Sequence, residues 1–237
     1  LSPLDALFES VSGITTTGAT ILTDFSLYSR SFFFWRSLSQ WLGGMGIIVL
    51  FVAILPQFAV AGRQMFLAEA PGPTEEKVTP RIAHTAKALW LVYLILTVME
   101  VCFLRISGME IYDAVCNSLS TMAAGGFSPN PLSIMGYNNS AATWIVTMFM
   151  FLAGSNFALQ YRLLLRRRIG VLGDNEEFRL YFSIVFLASS LLTVLLVLDT
   201  GAPFFAILRD SFFQIVSIIT TAGFSSADFG LWPIAAQ

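Results

Sequence analysis

Four long apolar segments divide this sequence, and each is a candidate to cross a lipid bilayer. They run over Phe32–Leu55, Ala88–Phe103, Ala142–Leu165 and Phe178–Leu198. A helix needs about 20 apolar residues to cross a bilayer, and the second segment reaches that length if it extends back through Ile82–Lys87. Because lipid offers no partners for backbone amides, the spans are predicted to be helices. The chain is therefore expected to be an all-α membrane protein.

The composition favours lipid over water as the environment. Hydrophobic residues make up 56% of the chain and charged residues 12%, whereas a soluble domain carries about a quarter charged residues. The net charge of -2 gives no reason to expect a nucleic acid partner. Leu1 and Gln237 both fall within segments that look like parts of longer elements, so the chain is expected to be a fragment.

The basic residues predict the orientation of the spans. Nine of the 13 Lys and Arg residues lie in, or at the span ends that flank, two connections: the one between spans one and two and the one between spans three and four. Connections rich in Lys and Arg stay in the cytoplasm, so both are predicted to be cytoplasmic. The two outer segments, 104–141 and 199–237, are too apolar for wetted loops and too broken to span. They are predicted to be re-entrant loops, which need surrounding protein or a water-filled cavity.

A threefold internal repeat occupies these outer segments and the start of the chain. Asp5–Gly18, Asp113–Gly126 and Asp210–Gly223 align without a gap. In each repeat the glycine follows the aspartate by 13 positions. A polar residue lies four positions after the aspartate and a serine seven positions after it. The polar residues are Glu9, Asn117 and Gln214, and the serines are Ser12, Ser120 and Ser217.

Each repeat has the pattern of a short helix that points into the membrane and ends in a pore loop. The aspartate suits a helix N-terminus, and the small residues near the glycine end the helix. The negative end of the helix dipole favours a cation, and exposed carbonyl oxygens can replace the hydration shell of an ion. A duplicated re-entrant loop with a purely structural role is the alternative.

Several motifs resemble one family of transporters. They are Ala6–Thr20, Ser39–Leu50, Ala70–Pro73, Pro80–Ala83, Ala123–Ser128 and Thr220–Phe224. The chain resembles, from end to end, the membrane subunit of the bacterial Trk potassium-uptake system in the Trk/Ktr/HKT superfamily. The resemblance implies repeated helix–pore-loop–helix units, four to a chain around a pseudo-fourfold pore, of which this chain holds an incomplete set.

The resemblance also implies how the chain divides. Residues 1–60 would be the pore loop and following helix of the first unit, and 61–87 a cytoplasmic connection. Residues 88–165 would be a complete second unit, 166–177 a second cytoplasmic connection, and 178–237 the helix and pore loop of a third unit.

The filter residues follow from the same resemblance, which implies that their backbone carbonyls bind K+. They are Thr16, Thr17, Gly18, Ala124, Gly125, Gly126, Thr221, Ala222 and Gly223. The three filter segments share one glycine and lack the tyrosine of potassium channels. This pattern is compatible with a wider filter that also passes sodium or rubidium. K+ would be the transported ion, with no organic cofactor. The family further implies a bacterial inner membrane location, a homodimer of the full-length chain and a cytoplasmic nucleotide-binding regulatory subunit.

Other residues carry weaker expectations. The Gly43, Gly44 and Gly46 cluster predicts a packing notch for another helix, with a gating hinge as the alternative. Arg36 and Glu100 lie near span ends, where snorkelling or pairing at the interface is expected, with a role in the ion pathway as the alternative. Gly154 carries the same two expectations as the glycine cluster, and Asn156 is expected to pair with a neighbouring helix or to face the inner cavity. Asp24 and Asp228 follow filter segments and would either attract cations to the outer mouth or remain solvated loop acids.

Two other classes of function remain as alternatives. A sodium- or proton-coupled carrier also uses broken helices, but usually has inverted repeats and intramembrane ionisable groups. The repeats here have one orientation, and no carboxylate is expected in the middle of a span, so a channel-like protein is favoured. The sequence has a single histidine and lacks a recognisable nucleophile–base pair, so an enzyme is not expected.

Overall fold

The regular secondary structure of the described part of the chain is helical. The computed structural model describes residues 2–46, 79–164, 170–233 and 236. The helices are α1 Pro3–Ile14, α2 over residues 30–46, α3 Thr79–Ile106, α4 Ile111–Met122, α5 Ser140–Ala153, α6 Phe157–Leu164, α7 Val171–Asp174, α8 Glu176–Thr200 and α9 Phe204–Ile219. Within these ranges no β-strand occurs. The predicted all-α class is confirmed.

Two of the predicted spans form single helices. By length and hydropathy, Ala86–Ile106 of α3 and Glu176–Thr200 of α8 suffice to cross a membrane. Asn175 caps α8 by accepting a hydrogen bond from the Phe178 amide at 2.7 Å, and Gly201 ends α8 in the left-handed region. The first predicted span is helical over residues 30–46, and its continuation to Leu55 lies outside the described residues.

The third predicted span is broken rather than straight. Ala142–Leu165 was expected to form one helix, but α5 and α6 meet at an angle of 109°. Gly154 lies at the break because a Cβ there would come within 2.6 Å of Thr220 Cγ2. Asn156 begins the new helix by accepting a hydrogen bond from the Ala158 amide at 2.9 Å. Close packing against the end of α9 thus leaves no room for a side chain at the position of the break.

Of the three helices that carry the repeat, α4 and α9 each pack between two other helices. α4 packs against α3 and α5, and α9 packs against α5 and α8. The main core cluster runs between these helices and includes the buried Leu104, Ile134, Val146, Phe213 and Phe224. Many apolar side chains of α8 remain exposed outside this cluster, as expected of a helix whose outer face contacts lipid.

The glycine cluster of α2 forms the predicted packing notch. A Cβ at Gly43 would overlap the carbonyl oxygen of Ile14, and one at Gly44 would lie 3.1 Å from the Ala123 Cα. Gly46 has no such neighbour among the described residues. Gly43 and Gly44 therefore let α2 approach the ends of α1 and α4, and α2 continues as a helix through both positions.

Candidate ion-conducting site

The three repeated helices end in closely similar ways. At the end of α1, the Thr16 amide donates to Gly13 O at 3.1 Å and the Thr17 amide to Ser12 O at 3.0 Å. α4 repeats both bonds, from Ala124 to Thr121 and from Gly125 to Ser120, each at 2.9 Å. This is the Schellman arrangement, which stops a helix and turns the chain away. α9 keeps only the first bond, from Thr221 to Ile218 O at 3.1 Å, and the second moves on to the Gly223 amide.

Each loop then uses the left-handed backbone region twice. Thr16, Ala124 and Thr221 have φ values of 55°, 51° and 59°, and Gly18, Gly126 and Gly223 have φ values of 76°, 75° and 74°. The shared glycine thus meets a conformational requirement that other residues satisfy poorly. The first member of each pair carries a side chain, so each loop holds local backbone strain, which is a common feature of functional sites.

Most carbonyl groups of the nine filter residues have no hydrogen-bond donor. Among the described residues, only the Gly125 oxygen accepts a hydrogen bond, and the donor is the Gln40 amide. Unpaired backbone carbonyls are costly inside a membrane protein. A bound cation would supply the partner that the protein does not.

Neighbouring loops contact one another in a repeated order. A Cβ at Gly18 would overlap the Gly125 carbonyl oxygen, and a Cβ at Gly126 would overlap the Ala222 carbonyl oxygen. Gly18 thus faces Gly125, which precedes the shared glycine Gly126. Gly126 in turn faces Ala222, which precedes the shared glycine Gly223. Gly223 has no described atom within 4 Å of such a Cβ. The structure therefore brings the three predicted filter segments together in the order of the chain, with an open side at Gly223.

The repeated serines tie two of the loops to their helices. Ser12 Oγ donates to Ala19 O at 2.6 Å, and Ser217 Oγ donates to Phe224 O at 2.7 Å. Each acceptor directly follows the shared glycine. Ser120 Oγ is buried and has no hydrogen-bond partner among the described residues. The second loop is therefore anchored in another way.

The polar residues four positions after the aspartates lie behind the loops. Glu9 Oε1 accepts hydrogen bonds from Thr20 Oγ1 at 2.7 Å and from the Ile21 amide at 2.8 Å. Gln214 Nε2 donates to Ser225 Oγ and Ala227 O, both at 3.2 Å. Asn117 instead bonds Tyr137 Oη at 3.1 Å, which in turn lies 3.5 Å from Ser128 Oγ. These side chains fix the segments that follow the filter.

The aspartates match the predicted position in two repeats only. Asp5 forms a capping box with Ser2 at the start of α1, and Asp113 lies in the first turn of α4. Asp210 lies inside α9, because that helix begins six residues earlier, at Phe204. It accepts hydrogen bonds from Arg209 at 3.0 Å and Ser226 at 3.1 Å. Asp210 therefore braces the outer segment rather than capping its helix.

Arg36 is buried and paired, so of the two expected arrangements it shows pairing and not snorkelling. Its side chain is 4% exposed and its guanidinium lies 2.8 Å from Glu9 Oε2. Its Cζ also lies 3.8 Å from the ring centroid of Phe127. Arg36 thus links Glu9 of α1 to Phe127, the residue that follows Gly126 in the second loop. The first link is an ion pair and the second a cation–π contact.

Glu100, in contrast, shows neither the expected snorkelling nor the expected pairing. It lies within the Ala86–Ile106 span, its side chain is fully buried, and neither carboxyl oxygen has a hydrogen-bond partner among the described residues. Thr121, two residues before the Ala123 cap of α4, is its polar neighbour. Taking an unpaired carboxylate out of water costs several kcal/mol, so a carboxyl at this position is unusual and calls for a functional explanation.

Sequence reasoning missed Gln40 as a site residue. It is fully buried on α2. Its Nε2 donates to Gly125 O at 2.7 Å and its Oε1 accepts from the Phe127 amide at 3.2 Å. The signal in the sequence was an uncharged polar residue within an apolar span. Its partner, 85 residues further along the chain, could not be read from that pattern.

The two loop acids outside the spans form turns. Asp24 Oδ1 accepts from the Ser26 amide at 2.9 Å and from Ser26 Oγ at 2.7 Å. The hydroxyl and then the amide of Ser26 lower the pKa of the Asp24 carboxyl. Asp228 Oδ1 accepts from the Gly230 amide at 3.0 Å in the same manner. Both therefore have a local structural role.

Most of the basic connection predicted at 61–87, and the start of the one predicted at 166–177, lie outside the described residues. Residues 61–78 and 166–169 are not described. Arg63, Lys77 and Arg166–Arg168, which carried much of the predicted orientation, belong to these stretches.

Comparisons of sequence identify relatives along the whole chain. A family described as TrkH, cation transport protein, matches residues 1–202. The Trk system potassium uptake protein TrkH of Escherichia coli K12 is 41% identical over 236 residues, which cover 99% of this chain and 49% of that protein. The protein of the same name from Halomonas elongata is 43% identical over 236 residues, covering 98% of this chain and 48% of its own length.

The fold has a close counterpart among solved structures. The crystal structure of the potassium transporter TrkH from Vibrio parahaemolyticus matches 100% of this chain with a TM-score of 0.87 and 36% sequence identity. The match covers 48% of that chain. The present chain thus spans about half the length of the curated relatives it matches.

Proposed function

Because the chain belongs to the TrkH family of cation transport proteins, we propose that it supplies three of the filter loops of a potassium-uptake pore. K+ would be bound by backbone carbonyls of the nine filter residues: Thr16, Thr17, Gly18, Ala124, Gly125, Gly126, Thr221, Ala222 and Gly223. The observation that carries the proposal is the repeated backbone of the three loops, with its paired left-handed residues and its mostly unpaired carbonyls.

The physical basis is electrostatic. The helices α1, α4 and α9 end at the loops, so the negative ends of their dipoles lie beside the proposed ion positions. Carbonyl oxygens replace the water that K+ loses. The fourfold ring of the family would place a further loop against the open side of Gly223.

The division into segments and the wider assembly belong to the same proposal. Residues 1–60, 88–165 and 178–237 would each contribute to one unit, joined by cytoplasmic connections at 61–87 and 166–177. The full-length protein would lie in a bacterial inner membrane as a homodimer. A cytoplasmic nucleotide-binding regulatory subunit would gate it from the side of these connections.

A sodium- or proton-coupled carrier is the second candidate, and Glu100 is the observation in its favour. The sequence predicted no carboxylate in the middle of a span, yet Glu100 is fully buried within α3. Ionisable groups inside a membrane often mark ion or proton pathways. The two candidates differ in whether transport requires Glu100 to change its charge.

The test is uptake of rubidium-86 and sodium-22 by the full-length protein in cells that lack their own potassium uptake. Gly126→Asp should reduce rubidium uptake about tenfold or more, because its Cβ would overlap the Ala222 carbonyl oxygen and each 1.4 kcal/mol of barrier costs a factor of ten in rate. Gly201→Asp is the matched control, since Gly201 also has a positive φ but no described neighbour within 4 Å.

Three outcomes separate the parts of the proposal. Rubidium uptake that exceeds sodium uptake and falls only in Gly126→Asp supports a potassium-preferring filter. Equal uptake of both ions would retain the pore and overturn its selectivity. Unchanged uptake in a well-expressed Gly126→Asp protein would overturn the filter assignment.

A further inference from the structure

The second loop lacks the internal tie that anchors the other two. Ser12 and Ser217 donate to the carbonyl that follows the shared glycine, at 2.6 and 2.7 Å. Ser120 holds the equivalent place in the repeat, but its hydroxyl is buried without a hydrogen-bond partner among the described residues. The repeat therefore predicts a contact that this loop does not make.

Gln40 supplies an anchor from another unit. It reaches the second loop from α2 and bonds the backbone on both sides of Gly126, at Gly125 O and at the Phe127 amide. The side chain is fully buried. A buried amide that lost either bond would leave a polar group without a partner, which is costly, so both bonds strongly constrain this part of the loop.

Gly125 is small because Gln40 occupies the adjacent space. A Cβ at Gly125 would come within 2.6 Å of Gln40 Oε1 and 2.7 Å of its Nε2. Gly125 is not among the glycines with a positive φ, so its conformation does not require glycine. Thr17 and Ala222 hold the same place in the other loops and carry side chains. Glycine is therefore required at position 125 by the lack of space beside Gln40, and not by the backbone conformation.

A second contact from α2 acts on the same loop. Arg36 lies four residues before Gln40, so the two share a face of the helix. Its Cζ stacks on the Phe127 ring at 3.8 Å while its guanidinium pairs with Glu9. The α2 face thus contacts the second loop at Gly125 and Phe127 and the first repeat at Glu9.

We infer that Gln40 is a positioning residue that sets the ion preference of the filter by fixing the direction of the Gly125 carbonyl. The inference rests on the proposed function of the loops as a potassium filter. A carbonyl oxygen has two lone pairs, so the Gly125 oxygen can accept from Gln40 and still face an ion. Without Gln40 this carbonyl would be free to rotate, and the filter would discriminate less well between ions of different size.

A double-mutant cycle in the full-length protein tests the inference. The quantity measured is the ratio of rubidium-86 to sodium-22 uptake in wild type, Gln40→Ala, Gly125→Ala and the double variant. We expect Gln40→Ala to lower the ratio about tenfold, the scale of one lost buried hydrogen bond. Gly125→Ala should also lower it. Adding Gly125→Ala to Gln40→Ala should lower it little further, because the clash is then gone.

The control is another buried glutamine that does not contact the filter. Gln160 of α6 bonds Leu152 O and Ser155 Oγ. Gln160→Ala should leave the uptake ratio close to that of wild type.

The outcomes distinguish this inference from the proposed function. A wild-type protein that takes up no rubidium would overturn the proposed function. If wild type prefers rubidium, effects of Gln40→Ala and Gly125→Ala that simply multiply would overturn the inference. So would a fall in total uptake at an unchanged ratio, since that result indicates a purely structural role. If Gln40→Ala is poorly expressed, Gln40→Met removes the same donor with little change of size and no added charge, and an unchanged ratio in that variant would also overturn the inference.

Discussion

Few charged side chains are buried among the described residues, and of the ion pairs found there that of Glu9 with Arg36 is the most enclosed. Both side chains are 4% exposed and their charged atoms lie 2.8 Å apart. Removing one partner of such a pair typically costs about 3–5 kcal/mol, because the other charge is left unpaired. The other carboxylate oxygen of Glu9 accepts two hydrogen bonds from the segment that follows the first filter loop. The pair therefore determines local geometry rather than only adding stability.

Glu100→Gln separates the two candidate functions at the scale of one residue. The carboxyl is fully buried without a partner among the described residues, so a pore should tolerate an uncharged side chain of the same shape. We expect rubidium uptake to stay within about twofold of wild type, measured from mildly acidic to mildly alkaline pH.

A coupled carrier predicts a different result for the same variant. If Glu100 exchanged a proton or bound sodium during transport, Gln would abolish the dependence of uptake on pH or on sodium. Loss of that dependence, with normal expression, would favour the carrier over the pore. Glu100→Asp, which keeps the carboxyl, is the control for size.

At the scale of elements, the break between α5 and α6 is the main departure from a bundle of straight spans. α5 contributes the core around the filter, while α6 turns through 109° and packs against α3. Tyr181 Oη donates to Phe151 O at 3.1 Å, and Asn156 Nδ2 lies 3.3 Å from Glu177 Oε2. The polar groups near the break therefore find partners on α8, as membrane helices require.

Gly154→Ala should destabilise the protein at this break. The added Cβ would lie 2.6 Å from Thr220 Cγ2 and 2.9 Å from Tyr181 Oη, and such overpacking usually costs about 1–3 kcal/mol. Thermal unfolding of the purified full-length protein in detergent measures the effect. Gly173→Ala is the control, since no described atom lies within 4 Å of its added Cβ. Equal unfolding temperatures for both variants would contradict the tight packing described for Gly154.

At the scale of the whole molecule, the filter loops form part of a ring with one open side. Gly18 and Gly126 each contact the next loop, whereas Gly223 has no described neighbour there. The chain spans about half the length of its curated relatives. Under the proposed function, a fourth loop of the full-length protein would close the ring. The function therefore belongs to the full-length protein, of which these loops would form the first three quarters.

Gly223→Ala in the full-length protein tests the closure of this ring. Alanine in the left-handed region costs roughly 1–2 kcal/mol by itself. If a fourth loop packs against Gly223, a clash adds to that strain, and Gly223→Ala should reduce rubidium uptake as strongly as Gly18→Ala. A clearly smaller effect, equal to that of backbone strain alone, would indicate that Gly223 has no such neighbour.

The sequence by itself determined the features that depend on local pattern. Hydropathy identified the apolar segments, because the length of a span follows from the thickness of a bilayer. The threefold repeat identified the shared glycines, because a left-handed backbone position strongly restricts which residue can occupy it. The structure agrees at Gly18, Gly126 and Gly223, all of which have a positive φ.

Only the tertiary structure decided which segments meet. It buried Arg36 and Glu100, bent the third span at Gly154, and placed Gln40 of α2 against Gly125. None of these contacts leaves a local signature, since the partners lie far apart in the chain and meet only when the helices pack. Close packing admits one arrangement of side chains at each crossing, so a residue such as Gly125 can be explained only by the neighbour that fills its space.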